Sequence, residues 1–287
     1  WFLHHPDLFS EPYPLVNNYE KFDIILTLAS ASLELMFQFF EKMPRLIVTN
    51  DWLTGLIPAI ARVKFANIFG DILFMHVIHS LEEGYQGKIY TEENEKFLLK
   101  MAKGLLGDYI VANETSIIDP SRSALMTSDQ WGTISETYRQ NLLESSPYRD
   151  LLRKFTNPFA CLTGVNIEDR KKLLLNMEKK CELKKNIQNK YFYLYEKEKL
   201  QEYEKLYDAC LFVFIGDFSI QSGISLIVDC FEELIKKHDK MQFIVGIKNF
   251  YGDYSDCQKL TSLDMKYPLQ FRSILGGFND EVAVIHA

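Results

Sequence analysis

Leu46-Ile-Val-Thr-Asn-Asp-Trp-Leu-Thr-Gly55 opens a stretch that runs on through Ile72-Leu-Phe-Met-His-Val-Ile-His-Ser80 and closes on Gly84-Tyr-Gln-Gly87. Two short apolar runs each end in polar residues able to do chemistry, and a helix-like segment separates them. That is the pattern of a parallel α/β sheet, whose ligands gather beyond the carboxyl ends of the strands. Asp51 and His79 are therefore the first candidates for a site at such an edge. With Tyr85 and Gln86 nearby in sequence, they would present a carboxylate, an imidazole and an amide. Such groups suit a polyhydroxylated ligand, whose hydroxyls an apolar pocket would leave unpaired. Each has a plainer reading: Asp51 as a turn or cap residue, His79 as a hydrogen-bonded structural histidine.

The totals set limits. At 287 residues, 47% hydrophobic and 25% charged, the chain is long enough for two globular domains with real cores. A net charge of -7 argues against a nucleic-acid partner, which needs a basic face. No apolar run approaches the roughly 20 residues of a membrane span, so no membrane partner is expected. Five scattered cysteines without a CxxC pair read as reduced thiols in the cytoplasm, with no zinc site. The first residue is Trp1 and the last apolar run, Val282–Ile285, stops at the end of the chain, so a fragment is expected.

Working outward, Phe22, Ile25, Leu28, Leu33, Met36 and Phe40 give Phe22–Lys42 a helical apolar face. Strands are expected at Arg45–Val48, Ile72–Ile78, Tyr109–Ala112 and Trp131–Ser135, and another leading into Gly164. Pro58 predicts a break in a helix spanning Trp52–Lys64, Gly107 a helix stop, and Ser135 a helix cap. Dense Lys and Glu over Arg170–Lys205 predict a solvated helical linker. Beyond it, Leu211–Ile215, Ser222–His238, Gln242–Val245, Ser255–Met265 and Val282–Ile285 read as β-α-β-α-β. The expected domains are 1–180, a linker over 181–207, and 208–287.

Taken in order, the motifs resemble those of the bacterial glycogen and plant starch synthases. Phe2-Leu-His-His-Pro-Asp-Leu-Phe9, Val48-Thr-Asn-Asp-Trp52, Phe74-Met-His-Val-Ile-His79 and Tyr85-Gln-Gly87 follow in the family's order. That family usually reads His-Asp-Trp at the first strand end and Thr-Ile-His-Asn at the second. Ser128-Asp-Gln-Trp-Gly-Thr-Ile-Ser-Glu-Thr-Tyr138, Leu162-Thr-Gly-Val-Asn166 and Phe214-Ile-Gly-Asp-Phe-Ser-Ile-Gln-Ser-Gly223 continue the series. The resemblance implies a GT-B fold: two facing Rossmann-like domains with parallel sheets and a cleft between them. It implies a retaining glucosyltransferase, with no metal or other cofactor, extending an α-1,4-glucan from ADP-glucose or UDP-glucose. His79 and Asp51 would be catalytic, and Trp52, Ser80, Tyr85, Gln86, Thr163 and Asn166 would bind sugar or acceptor.

The chain departs from the family where the donor diphosphate would lie, over Gly216, Asp217, Ser222 and Gly223. Asp217 stands at the usual arginine and Ser222 at the usual lysine, and an anion facing a diphosphate repels it. Ser80 likewise stands where an asparagine is usual. Lys248 is a possible replacement cation. The family's Lys-x-Gly-Gly loop and carboxylate-rich donor loop would lie before Trp1 and after Ala287. The alternative is a catalytically inactive glycosyltransferase-fold relative that binds glucan or regulates.

Overall fold

A computed structural model describes residues 18–82, 87–111, 116–162, 164, 177–192, 206, 208–218, 222–250 and 254–275. The chain divides into two units, Trp1–Gly164 and Val165–Ala287.

The first unit is built on a four-stranded sheet in the order β1 (Leu46–Asn50), β2 (Leu73–Ile78), β5 (Gln130–Thr133), β6 (Phe159–Ala160), parallel throughout. A small antiparallel pair, β3 (Ile89–Tyr90) and β4 (Ile117–Ile118), stands apart. Alternation along β1 and β2 turns Ile47, Thr49, Phe74, His76 and Ile78 inward, while Leu46, Val48, Asn50 and Leu73 face outward. Side chains two apart share a face because the strand repeat is two residues.

Helices α1 (Asn18–Phe39), α2 (Ile57–Lys64), α3 (Ala66–Phe69) and α4 (Lys96–Leu106) close one core around Phe74, with Phe22, Ile25, Ala29 and Leu33 as the buried stripe of α1. At 22 residues, α1 is long and apolar enough by length and composition to cross a membrane, contrary to the expectation from its apolar runs. Its buried stripe, at helical spacing, packs into the core beside α2. Helices α5 (Pro120–Thr127), α6 (Glu136–Ser145) and α7 (Arg149–Leu152) enclose a second cluster around the fully buried Trp131, whose Nε1 donates to Leu152 O at 3.1 Å.

The expected break falls just ahead of Pro58: a 3-10 turn, Trp52–Thr54, ends before α2 begins at Ile57, and Pro58 is the second residue of the new helix. A first-turn proline has no helical amide bond to lose. Gly107 ends α4 at φ 56°, and the Ser135 hydroxyl caps α6 by accepting from Tyr138 N. Tyr109–Ala112 is not a strand where described: Tyr109 closes a 3-10 turn and Val111 makes one isolated bridge to Ile118.

In the second unit the parallel sheet runs β7 (Cys210–Phe218), β8 (Met241–Phe250), β9 (Phe271–Leu275). One face packs on α9 (Ile224–Lys237) and α10 (Tyr254–Lys266) through Ile224, Phe231, Leu260, Phe243 and Phe271. The other face meets α8 (Met177–Phe192), whose Ile187 and Phe192 pack on Ile244. One face of α8, within the stretch expected as a solvated helical linker, therefore belongs to a core. Gln188 and Gln242, both fully buried, join there: Gln188 Nε2 donates to Gln242 Oε1 at 2.6 Å and to Leu206 O at 3.0 Å, and Gln242 Nε2 donates to Leu269 O at 2.9 Å. Strand β9 did not announce itself in the sequence, and Val282–Ile285 lies outside the described residues.

Candidate functional site

Strands β1 and β2 pair in register from Leu46↔Leu73 to Asn50↔Val77, and the pairing continues one residue further as Asp51 N donates to Val77 O at 3.0 Å. That register sets the ends of both strands side by side, on the carboxyl edge the sequence pointed to. The Asp51 carboxylate accepts the main-chain N–H of His79 through Oδ1 at 2.7 Å. The His79 ring is exposed, and its Nε2 lies 3.1 Å from Asn50 Oδ1.

Asp51 adopts φ 50° and ψ -173°. Backbone of that kind is close to a region reserved for glycine and costs about 1–3 kcal/mol in other residues. Local bonds hold it in place. The Thr54 hydroxyl accepts from Asn50 N at 2.7 Å and donates to Asn50 O at 2.6 Å, so one side chain satisfies both main-chain groups of the residue before the strained one.

Beneath the exposed pair lies His76, fully buried, with Nδ1 2.9 Å from Thr49 Oγ1. Burial, and secondarily the nearby His79, push its pKa down to about 4, so this imidazole is neutral at physiological pH. Beyond His79, Leu81 N donates to Tyr138 OH at 2.8 Å, and Ser80 hydrogen-bonds both Tyr138 and the Glu82 main-chain N–H. Burial first, then the charges of Glu82 and Asp51, raise the Tyr138 phenol above its ordinary range. It remains protonated and serves as a fixed post for the segment after the histidine.

Trp52 is half-buried, with the Lys21 ammonium 5.0 Å from its ring centroid. Gly87 approaches the same indole at φ 68°, so that a Cβ there would collide with the Trp52 side chain. Asp51, Trp52, His79 and Ser80 are thus brought to one sheet edge. Tyr85, Gln86, Thr163 and Asn166 lie outside the described residues. Asn50, Thr54 and His76 belong to the same constellation and were not singled out by the motifs. Their signal is cross-strand register, which spacing along the chain does not carry.

In the second unit, β7 and β8 keep register to Gly216↔Ile247 and then shift to Phe218↔Phe250. One residue of β7, Asp217, therefore faces two of β8, Lys248 and Asn249, which is a β-bulge at the strand end. Ser222 and Gly223, the latter left-handed at φ 71°, lead into α9. All four expected donor-side positions lie at the end of β7 or the start of α9. Among the described residues no three His, Cys, Asp or Glu side chains cluster as a metal site.

The comparisons with known proteins agree with this layout. A sequence profile of the starch synthase catalytic domain matches residues 1–154, more than half of the chain. The chain belongs to that family. Over 248 residues this member is 25% identical to a glycogen synthase of Clostridium kluyveri, covering 83% of this chain and 49% of that protein. Over 113 residues it is 28% identical to a glycogen synthase of Exiguobacterium sibiricum, covering 38% of this chain and 22% of that one. In three dimensions it is similar to the catalytic domain of starch synthase IV from Arabidopsis thaliana, solved bound to ADP and acarbose. The TM-score is 0.70 at 16% identity, over 98% of this chain and 57% of that one. The fold is that of the GT-B starch synthases, with α/β units on parallel sheets. The chain spans less than two thirds of the length of each of these relatives.

Proposed function

We propose that this chain is part of a retaining glucosyltransferase that moves glucose from ADP-glucose or UDP-glucose onto the end of an α-1,4-glucan. The bond from the anomeric carbon to the diphosphate breaks, a bond from that carbon to the glucan's 4-hydroxyl forms, and the hydroxyl proton leaves with the diphosphate. The observation that carries the reading is the joint placement of Asp51 and His79, bonded to each other at the carboxyl edge of a parallel sheet in a starch synthase family member.

In this reading His79 hydrogen-bonds a hydroxyl of the transferred glucose, and Asp51 fixes the histidine and adds negative potential beside the developing positive charge of the sugar. Trp52 and Ser80, with Tyr85, Gln86, Thr163 and Asn166, line the approach of the glucan. On the second unit the nucleotide diphosphate lies by Gly216, Asp217, Ser222 and Gly223. The amides opening α9 supply favourable potential there, and Lys248, next to Ile247 where the register of β8 with β7 shifts, is the candidate cation. No metal or other cofactor enters the scheme.

The test is transfer of radiolabelled glucose from either donor to glycogen, with His79→Ala alongside. Label in the polymer that is lost in a folded His79→Ala variant supports the proposal. Neither transfer nor donor hydrolysis, with maltooligosaccharide still bound in calorimetry, favours the inactive glucan-binding alternative. Binding of neither nucleotide nor glucan overturns both.

A further inference from the structure

We infer that Asn50 is a positioning residue that fixes the tautomer of His79, so that the ring meets its ligand through an unprotonated Nδ1. The inference rests on the reading of His79 as the residue that contacts sugar. Its starting point is a departure of this chain from its family: Asn50-Asp51-Trp52 stands where the synthases usually read His-Asp-Trp. A histidine at that position could offer a neighbouring imidazole either an N–H or a lone pair. The Asn50 amide has an NH2 end as well, but its oxygen faces His79, and an amide oxygen offers only lone pairs. With Asn50 Oδ1 3.1 Å from His79 Nε2, a neutral ring that donates in this contact carries its proton on Nε2.

The bond is well supported. Asn50 is held by the Thr54 hydroxyl at both its main-chain N–H and its carbonyl. The His79 main chain is held by Asp51 Oδ1 at 2.7 Å. Both partners of the Asn50–His79 contact therefore have anchored backbones, which lowers the entropy cost of an exposed side-chain bond. Among the described residues, His79 Nδ1 has no hydrogen-bond partner.

The chemical consequence is selectivity. A lone pair at Nδ1 pairs with a group that brings its own proton, such as a sugar hydroxyl. It repels a phosphate oxygen, which is unprotonated at neutral pH and would need a donor. Asn50 thereby makes His79 a reader of hydroxyls, and the diphosphate is left to other groups.

The test is the ring nitrogen spectrum of His79 at pH 8, with histidine labelled by 15N. The chain has six histidines, and the His79→Gln spectrum assigns the resonance. The expected result is the Nε2–H form in the wild type, retained in Asn50→Asp, which keeps an acceptor oxygen. Asn50→Leu should move the tautomer ratio toward Nδ1–H by roughly three- to tenfold, the range for loss of one net hydrogen bond. In transfer assays the same Leu variant should lose a similar factor in kcat/KM.

A wild-type ring protonated on Nδ1 overturns the inference, as does an unchanged ratio in a folded Asn50→Leu. The wild-type spectrum decides even if the Leu variant does not fold. A clean Nε2–H spectrum in a protein without transferase activity leaves the positioning role intact and removes only the glucosyl-transfer reading.

Discussion

The backbone of Asp51 gives a stability test whose sign is unusual. Alanine at position 51 loses the carboxylate bond to His79 N and keeps the strained φ 50°, ψ -173° conformation. Glycine loses the same bond and relieves the strain. Comparing the two cancels the hydrogen bond and isolates the backbone. Relief is worth about 1–3 kcal/mol, and the greater freedom of glycine in the unfolded chain subtracts about 0.5–1 kcal/mol. Asp51→Gly should therefore be more stable than Asp51→Ala by up to about 2.5 kcal/mol, with about 1 kcal/mol at the middle of both ranges, whereas glycine for alanine ordinarily costs stability. The assay is urea denaturation followed by tryptophan fluorescence. Trp1, Trp52 and Trp131 all belong to the first unit, so the signal follows the unit that holds the site. An alanine variant more stable than the glycine one by the ordinary margin of about 0.5–1 kcal/mol would show that position 51 carries no strain, and would remove the argument that the strand end is held under tension.

Three further outcomes follow from described contacts. Gly87→Ala must fit a Cβ against the Trp52 ring at φ 68°, so it should lower stability by about 1–3 kcal/mol by urea titration; a neutral change would mean the loop moves aside at no cost. The folded pKa of His76, about 4, lies below its ordinary 6.5. Between those values the unfolded chain takes up a proton that the folded chain refuses, so stability is present above pH 6.5 and is lost as pH falls toward 4. The loss from this group is about 3 kcal/mol. His76→Gln should lose correspondingly less between pH 7.5 and 4.5, and identical midpoint shifts in the two proteins would refute the assignment. Replacing Asp217 by Arg and Ser222 by Lys restores the charges usual in the family beside the diphosphate. ADP should then bind at least roughly tenfold more tightly in calorimetry, and unchanged affinity would place the phosphates elsewhere.

The elements that could be read from the sequence are those whose signal is local. Strand β2 and helix α9 carry their apolar periodicity within a single run, and the caps at Ser135 and Gly107 depend on one residue each. Strand β9 failed that kind of reading because Arg272 and Ser273 interrupt the apolar pattern. Both meet Asp264, which accepts from Ser273 N at 3.1 Å and Ser273 Oγ at 2.8 Å and pairs with Arg272 at 2.9 Å, while Arg272 Nε also donates to Tyr191 O at 2.7 Å. Helix α8 was read as a helix, but its attachment to the core was not, since dense charge along it hides the few positions, Ile187, Gln188 and Phe192, that reach the core. At the site, Asp51 and His79 were legible because a strand end is a sequence position. Asn50 and His76 were not, because Asn50↔Val77 and Thr49↔His76 are cross-strand neighbours more than twenty residues apart in the chain.

The buried glutamine pair has a consequence for how the second sheet chooses its alignment. Apolar strands such as β7 and β8 attract one another in several alignments, and a slip of one residue carries every side chain to the opposite face. Moving β8 by one residue would take Gln242 away from Gln188 and from Leu269 O, and would strand those polar groups among Ile187, Phe192 and Ile244. Each orphaned group costs about 1–3 kcal/mol, a penalty that a purely apolar pair of residues would not impose. The two amides thus act as a key: they add little attraction to the correct alignment and make the neighbouring ones costly.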